Sequence, residues 1–503
     1  MSAAAESLTS RTLRAGQWRL AGSLVIAVSR LTIGVVLARL LTPADFGLMT
    51  LASVVLGVSQ PLVELGIGGA VVQRDGLTER HVRSAFTFSV LLGVMVTACI
   101  ALAAPLGAIV MREPKVTPVL RVLSVGFAFQ GAAVVAGALL RRRLDFKRQF
   151  SIESTSYVMG YGVVALTLAW HGAGVWSLVW GGLVQMLVSS ASQLAAVRHP
   201  VRPLIARREL GELLRYGLGT HLSGFINYLA LNGDNFVVGR WIGTAGLGLY
   251  SRAYGLMELP YAFVAAAMSS VLFPAYAEAQ REPDRLRRGY LMATRLTATV
   301  AAPAMGTMAI VAPHLVPTLF GHQWTNVVTP LQILCMAGYF RALYHLGGPV
   351  AQSVGRVYSE MWRQAIYAVL VIVGTLIGSL YGLPFVAMSV VVAIVYMFVA
   401  TGQLALSITG TSWSEYWRVQ ISALVIAAIT SSVALFIRLA LEAHIPSFGV
   451  TFAVLGGAAV PWTMAMLWTL AEPDFEAFQQ RLPRAWVRVS HALHVACTKR
   501  VVG

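Results

Sequence analysis

Residues 38–50 read A-R-L-L-T-P-A-D-F-G-L-M-T, and residues 239–251 read G-R-W-I-G-T-A-G-L-G-L-Y-S. At an offset of 201 residues these stretches align Arg39 with Arg240, Ala44 with Ala245, Gly47 with Gly248 and Leu48 with Leu249. Each interrupts a long apolar run with a short polar turn, and each is followed by a proline in the next run, Pro61 and Pro260. The pattern reads as one hairpin used twice. An even number of apolar runs separates the two copies, so both halves share one orientation. A parallel repeat of this kind predicts two bundles flanking a central cavity.

Outward from the hairpins the chain is a succession of apolar stretches. Of 503 residues, 57% are hydrophobic and 12% are charged. A soluble domain carries about 25% charged residues, so this chain could not cover its own surface in water. Stretches of about 20 apolar residues span a bilayer, and about fourteen such stretches fall between 16–41 and 448–470. The fold class expected is an all-α integral membrane protein of about fourteen transmembrane helices. Two pseudo-symmetric six-helix bundles would surround the cavity, with two more helices at the C-terminal end. The corresponding boundaries are 1–197 for the first bundle, 198–212 for a cytoplasmic linker, 213–408 for the second bundle, 409–470 for the last two spans, and 471–503 for a basic amphipathic tail.

The net charge of +17 suggests nucleic acid only until the basic residues are placed. With the N-terminus in the cytoplasm, the cytoplasmic segments hold 28 of the 38 Lys and Arg residues. That bias is the positive-inside signature of a multi-pass protein with both termini in the cytoplasm, and it removes nucleic acid as the partner. The apolar run behind Arg11, Arg14 and Arg19 continues to about Leu41, too long for the apolar core of a cleaved signal. Cys99, Cys335 and Cys497 show no metal or redox spacing. The phosphate loop G-x-x-x-x-G-K-[ST] and H-E-x-x-H are both absent, so no cofactor is expected. An enzyme such as a polymerase or glycosyltransferase would need an acid–base constellation at the membrane face. The outer loops offer only the scattered Asp45, Glu113 and Glu442.

Several runs point to a family. L-T-P-A-D-F-G-L-M at 41–49 and E-L-G-I-G-G-A-V-V-Q-R at 64–74 resemble the opening of bacterial polysaccharide transporters. D-N-F-V-V-G-R-W-I-G-T-A-G-L-G-L-Y-S-R-A-Y at 234–254, L-F-P-A-Y at 272–276 and L-F-G-H-Q-W at 319–324 fit the same pattern. The chain resembles the Wzx-type flippases, nearest the colanic-acid exporter branch, over roughly residues 12–410. Multidrug exporters and lipid II flippases belong to the same superfamily and are the alternative cargo classes. The resemblance implies outward movement of undecaprenyl-diphosphate-linked repeat units across the inner membrane by alternating access. It also implies a polysaccharide polymerase and other assembly proteins as partners, and a proton or sodium ion as coupling ion.

A diphosphate cargo needs cations in a wet cavity, and a charge at mid-membrane costs about 2.5–3.5 kcal/mol, so each ion within a span is a candidate. Arginine binds phosphate through a planar fork and stays charged. Arg19 and Arg30 share a face of the first span, and Arg341 lies deep in the tenth. Asp234 and Arg252 flank the second hairpin at matching depth and are expected to pair, as a structural lock or a switch. Asn227 and Asp234, seven residues apart, give the seventh span a polar face. Glu64 and Glu258, beside Pro61 and Pro260, are candidates for a coupling proton or for bonding a carbonyl freed by the kink. Arg19, Arg30, Arg252 and Arg341 are thus the expected diphosphate ligands, with Asp234, Glu64, Glu258 and Asn227 expected to couple or gate.

Overall fold

The structure is a computed structural model that describes residues 26–197, 199–200, 202–260 and 282–470. Arg19 and the basic tail at 471–503 lie outside the described residues, as do the side chains of Glu64 and Asn227. Among the described residues the regular structure is helical and no strand occurs.

In chain order the helices are α1 (26–40), α2 (Pro43–Glu64), α3 (Ile67–Gln73), α4 (Glu79–Met111) and α5 (Val116–Arg142). Next come α6 (Phe146–Tyr157), a π-helical segment (Val158–Ala165), α7 (Leu166–Trp170), α8 (Val175–Ala196), α9 (Arg207–Trp241) and α10 (244–260). The remainder holds α11 (Pro283–Phe320), a 3-10 turn (His322–Val327), α12 (Val328–Tyr344), α13 (Gly347–Ser353) and α14 (Val357–Ser379). α15 (Leu383–Thr409), α16 (Trp413–Leu441) and α17 (Ser447–Leu470) complete it. Among the described residues, nine helical stretches are long and apolar enough to cross a membrane. Large apolar side chains on them stand exposed, including Leu102, Leu106 and Phe436. An apolar exterior on helices that satisfy their own backbone is what a bilayer requires.

Three predicted spans prove to be interrupted. The span expected near 45–71 breaks where Leu65 (φ 34°) and Gly66 (φ 72°) turn left-handed, separating α2 from α3. The stretch near 325–352 divides after Tyr344 into α12 and α13. The stretch near 150–170 holds the π-helical segment, which contains Gly160 and Gly162. Prolines within α4, α11 and α17 leave those helices continuous.

The chain divides into two compact units, Met1–Ser251 with Val371–Val386, and Arg252–Leu370 with Ala387–Gly503. In the first, Ile67, Val71, Val82, Ala85, Val135 and Leu213 form a core that joins α3, α4, α5 and α9. Charges tie the same elements together at their polar end. Glu212 takes Arg74 at 2.5 Å, His81 at 3.3 Å and Arg208 at 3.4 Å. The hydrogen bond from His81, then the Arg74 and Arg208 charges, hold its carboxyl below the usual carboxylate range. Arg142 Nη1 donates to the carbonyls of Val71 and Arg74, closing the C-terminal end of α3. In the second unit α11, α16 and α17 pack around Val311, Ala434, Val450 and Val454. The last two helices therefore share a core with α11.

The repeated hairpins meet inside the first unit. Thr42 donates its N–H and hydroxyl to Asp45 and receives the Asp45 N–H, a reciprocal cap that starts α2. The second turn carries Gly243 at φ 95°, a conformation that favours glycine. A Cβ on Gly47 would strike the Thr244 carbonyl, and a Cβ on Gly248 would strike the Pro43 carbonyl. Residues 43 and 244, like 47 and 248, are one repeat apart. The contact is thus reciprocal, as two copies of one element make around a pseudo-two-fold axis, and only a missing side chain lets the backbones approach. Gly248→Val should therefore lower the thermal unfolding temperature of the purified protein, at a cost of about 1–3 kcal/mol or more. Gly211→Ala, on α9 with nothing within 4 Å of the added carbon, should leave the midpoint unchanged or raise it slightly.

Candidate functional site

The charged candidates fall into three local arrangements. On α1, Arg30 Nη2 donates to Glu153 Oε1 of α6 at 3.1 Å. Its guanidinium carbon lies 5.5 Å from the centroid of the Tyr157 ring, and Tyr161 sits 5.2 Å beyond, ring to ring. The helix carrying Glu153 and Tyr157 runs directly into the π-helical segment, and π-turns within helices are frequent at functional sites. The Arg30 and Glu153 side chains are 53% and 49% exposed.

Arg341 is a different case. On α12 its side chain is only 6% exposed, and Nη2 donates to Glu258 Oε1 at 2.7 Å. Nη1 donates to the Tyr254 hydroxyl, and Tyr344 and Tyr367 pack beside the pair. Among the described residues, the buried Nε–H of Arg341 has no hydrogen-bond partner. The Glu258 side chain is 41% exposed, so the pair is accessible on its carboxylate side.

Asp234, on α9, is buried and accepts the Tyr250 hydroxyl at 2.7 Å and the Asn235 N–H at 2.8 Å. Tyr250 is itself fully buried in the second hairpin. The pairing expected of Asp234 with Arg252 crosses the division between the two units, and Arg252 opens the second.

These arrangements add partners that the sequence did not name. Arg30 is paired with Glu153, and Arg341 with Glu258. Glu258 bonds Arg341, a partner that neither of its expected roles, a coupling proton or a bond to a carbonyl freed by the kink, had named. Glu153 was missed, because in sequence it is one acidic residue at the head of an apolar stretch. Magnitudes separate the two pairs. A half-exposed ion pair contributes about 0–1 kcal/mol, so another anion can replace its carboxylate at little cost. Breaking a buried pair by removing one partner costs about 3–5 kcal/mol. Of the two arginines, Arg30 is thus held the more weakly by its carboxylate and Arg341 the more firmly.

Sequence reasoning also passed over a polar cavity of about 350 Å³ within the first unit. Gln60 of α2, Gln130 and Arg141 of α5, and Gln185, Ser189 and Gln193 of α8 line it. Gln60 Nε2 donates to Gln130 Oε1 at 2.8 Å, and Gln193 Nε2 donates to Ser189 Oγ at 3.1 Å. The signal was present: residues 185, 189 and 193 recur every fourth position, one face of a helix. Uncharged amides in a chain rich in arginine did not stand out.

A family profile described as "Polysaccharide biosynthesis protein" matches residues 36–329, more than half of the chain. The chain is 24% identical over 422 residues to "Lipopolysaccharide biosynthesis protein WzxC" of Escherichia coli K12, covering 82% of this chain and 84% of that one. It is 26% identical over 379 residues to "Succinoglycan biosynthesis transport protein ExoT" of Rhizobium meliloti 1021, covering 75% and 74%. Among solved structures it is similar to lipid II flippase MurJ in an inward closed conformation. The TM-score is 0.73 at 13% identity, over 88% of this chain and 96% of that one. An inward-facing multidrug transporter of the MATE family gives 0.62 at 18% identity, over 82% and 99%. At these identities the structural likeness establishes the fold alone.

The Arg341 arrangement makes a prediction about stability. Glu258→Ala should destabilise the protein by an amount near the low end of about 3–5 kcal/mol, because the carboxylate side of the pair is exposed. The double change Glu258→Leu with Arg341→Met should recover most of the loss. Thermal unfolding of the purified single and double variants is the check.

Proposed function

The chain belongs to the polysaccharide biosynthesis protein family, and on that premise we propose that it flips undecaprenyl-diphosphate-linked oligosaccharide units across the bacterial inner membrane. The reading draws on relatives named for lipopolysaccharide biosynthesis and succinoglycan transport. It draws equally on an all-helical fold of the MurJ and MATE kind. The observation that carries it is the Arg30–Glu153 pair. A guanidinium that is half-exposed on an apolar helix cannot face hydrocarbon without a cost of several kcal/mol, so the surface it meets is wet. A diphosphate arriving there can take the fork of Arg30 bidentately, a stronger match than the single contact from Glu153.

In this account the bundles 1–197 and 213–408 alternate access to the two sides, with both termini in the cytoplasm. The lipid tail stays in the bilayer while Arg30, Arg252 and Arg341 attract the diphosphate. Protonation of Glu258, or an incoming sodium ion, would loosen its hold on Arg341 and tie the movement to an ion gradient. Asp234 and the polar face of α9 contribute to gating. The protein delivers its cargo to a polymerase, which extends the polysaccharide outside.

Export assays on variants at residue 30 test the proposal. Arg30→Ala should abolish surface polysaccharide at unchanged protein level, and Arg30→Lys should restore part of it, since a point charge attracts phosphate without the fork. Glu153→Gln should retain export. Full export by Arg30→Ala would remove Arg30 from the mechanism.

A further inference from the structure

The glutamine-lined cavity of the first unit carries a second inference, which rests on the flippase reading and deepens it. The amide edges left over from the internal bonds point to its use. Gln60 keeps its Oε1 and Gln130 keeps both N–H groups, because their mutual bond uses only one donor and one acceptor. The Gln185 amide makes no hydrogen bond within the described residues, although it lines the cavity. Each such amide donates and accepts within one rigid plane, which is the pairing that vicinal hydroxyl groups require. A cavity of about 350 Å³ is large enough for a small-molecule moiety, since ligand sites run from about 300 Å³ upward.

The charge of the lining narrows the class further. No described lining residue is acidic, and Arg141 supplies the sole cation of that lining. Its guanidinium makes no hydrogen bond or ion pair among the described residues. It reaches the same spot as Gln193: Arg141 Nη1 and Gln193 Oε1 both lie within 4 Å of where a Cβ on Gly137 would stand. Glycine at 137 thus leaves room at the point where the cation meets the amides. One guanidinium matches one carboxylate, in a two-pronged bond that amides cannot supply. A diphosphate, with more charge, would call for more than one cation. From Gln130 to Arg141 the helix advances about 16 Å at 1.5 Å per residue, so the amides and the cation meet successive parts of an extended ligand.

We propose that this cavity is a glycan subsite that takes the sugar portion of the cargo, and that Arg141 selects a sugar bearing a carboxylate. The amides of Gln60, Gln130, Gln185 and Gln193 hold the ring hydroxyls, and the Ser189 hydroxyl steadies Gln193. Arg141 is a specificity residue here, separate from the residues that receive the diphosphate.

The test is saccharide binding to the purified full-length protein in nanodiscs, by calorimetry. The probes are a neutral tetrasaccharide, a tetrasaccharide containing one glucuronate, and inorganic pyrophosphate. The wild type should bind the acidic tetrasaccharide about tenfold more tightly than the neutral one, the worth of one charge-assisted hydrogen bond. Arg141→Gln should erase the preference and keep neutral binding. Gln185→Leu combined with Gln193→Leu should weaken both saccharides by about tenfold, and thermal unfolding near the wild-type midpoint would show that the variants are folded. Pyrophosphate should leave the saccharide in place. The subsite is overturned if neither saccharide binds, if Arg141→Gln keeps the preference, or if pyrophosphate displaces the acidic sugar. Proteoliposome flipping of a lipid-linked oligosaccharide by the same wild-type protein separates the two ideas. Flipping without saccharide binding sinks the subsite alone, whereas saccharide binding without flipping sustains the subsite and sinks the transport reading.

Discussion

A charge within an apolar bilayer must be paired or wetted, and the internal chemistry of this protein follows from which solution each charge takes. Arg341 is buried, so Glu258 and the Tyr254 hydroxyl neutralise and bond it. Asp234 is buried, so the Tyr250 hydroxyl and a backbone N–H attend to it. Arg30 and Glu153 are half-exposed, so their pairing is weak and can be exchanged. Exposure thus sorts the charges into those that are firmly held and those whose pairing is weak. A carrier needs both kinds, because its binding site must release what it binds.

The same economy shapes the backbone. Gly47 and Gly248 let two hairpins approach through carbonyl and amide groups with no side chain between them. Such a contact gains close packing and retains few side-chain interlocks. Where polar groups gather at the end of the first unit, the contact is instead polar, with Glu212 meeting Arg74, Arg208 and the His81 ring. Since its folded carboxyl is held below the usual range, that link is present at neutral pH and persists as pH falls until the lowered value is reached.

Much of the architecture was legible in the sequence because hydrophobic length and the repeat at 38–50 and 239–251 are one-dimensional signals. Reciprocal contact between the repeats was not, since nothing in a chain says that residue 47 meets residue 244. Helix interruptions were hidden for a similar reason: Leu65 and Gly66 turn the backbone inside a run whose composition stays apolar. For the site, sequence located the arginines from the cost of burying them, but it could not supply partners. Glu153 lies 123 residues from Arg30, and only the folded chain joins them. The glutamines were overlooked because a neutral amide costs less to bury than a charge and leaves a fainter mark, even when spaced along one face of α8.

The central claim is that this chain carries a lipid-linked oligosaccharide across the bilayer. The direct measurement uses sealed proteoliposomes containing undecaprenyl-diphosphate oligosaccharide with a fluorescent label on the sugar. A quencher that cannot cross the membrane is added, and proton or sodium gradients are imposed in turn. The account predicts that vesicles with the protein lose the inner-leaflet fluorescence as well as the outer, whereas protein-free vesicles lose the outer alone. An inner pool that stays protected under every gradient, with folded protein present, would contradict it.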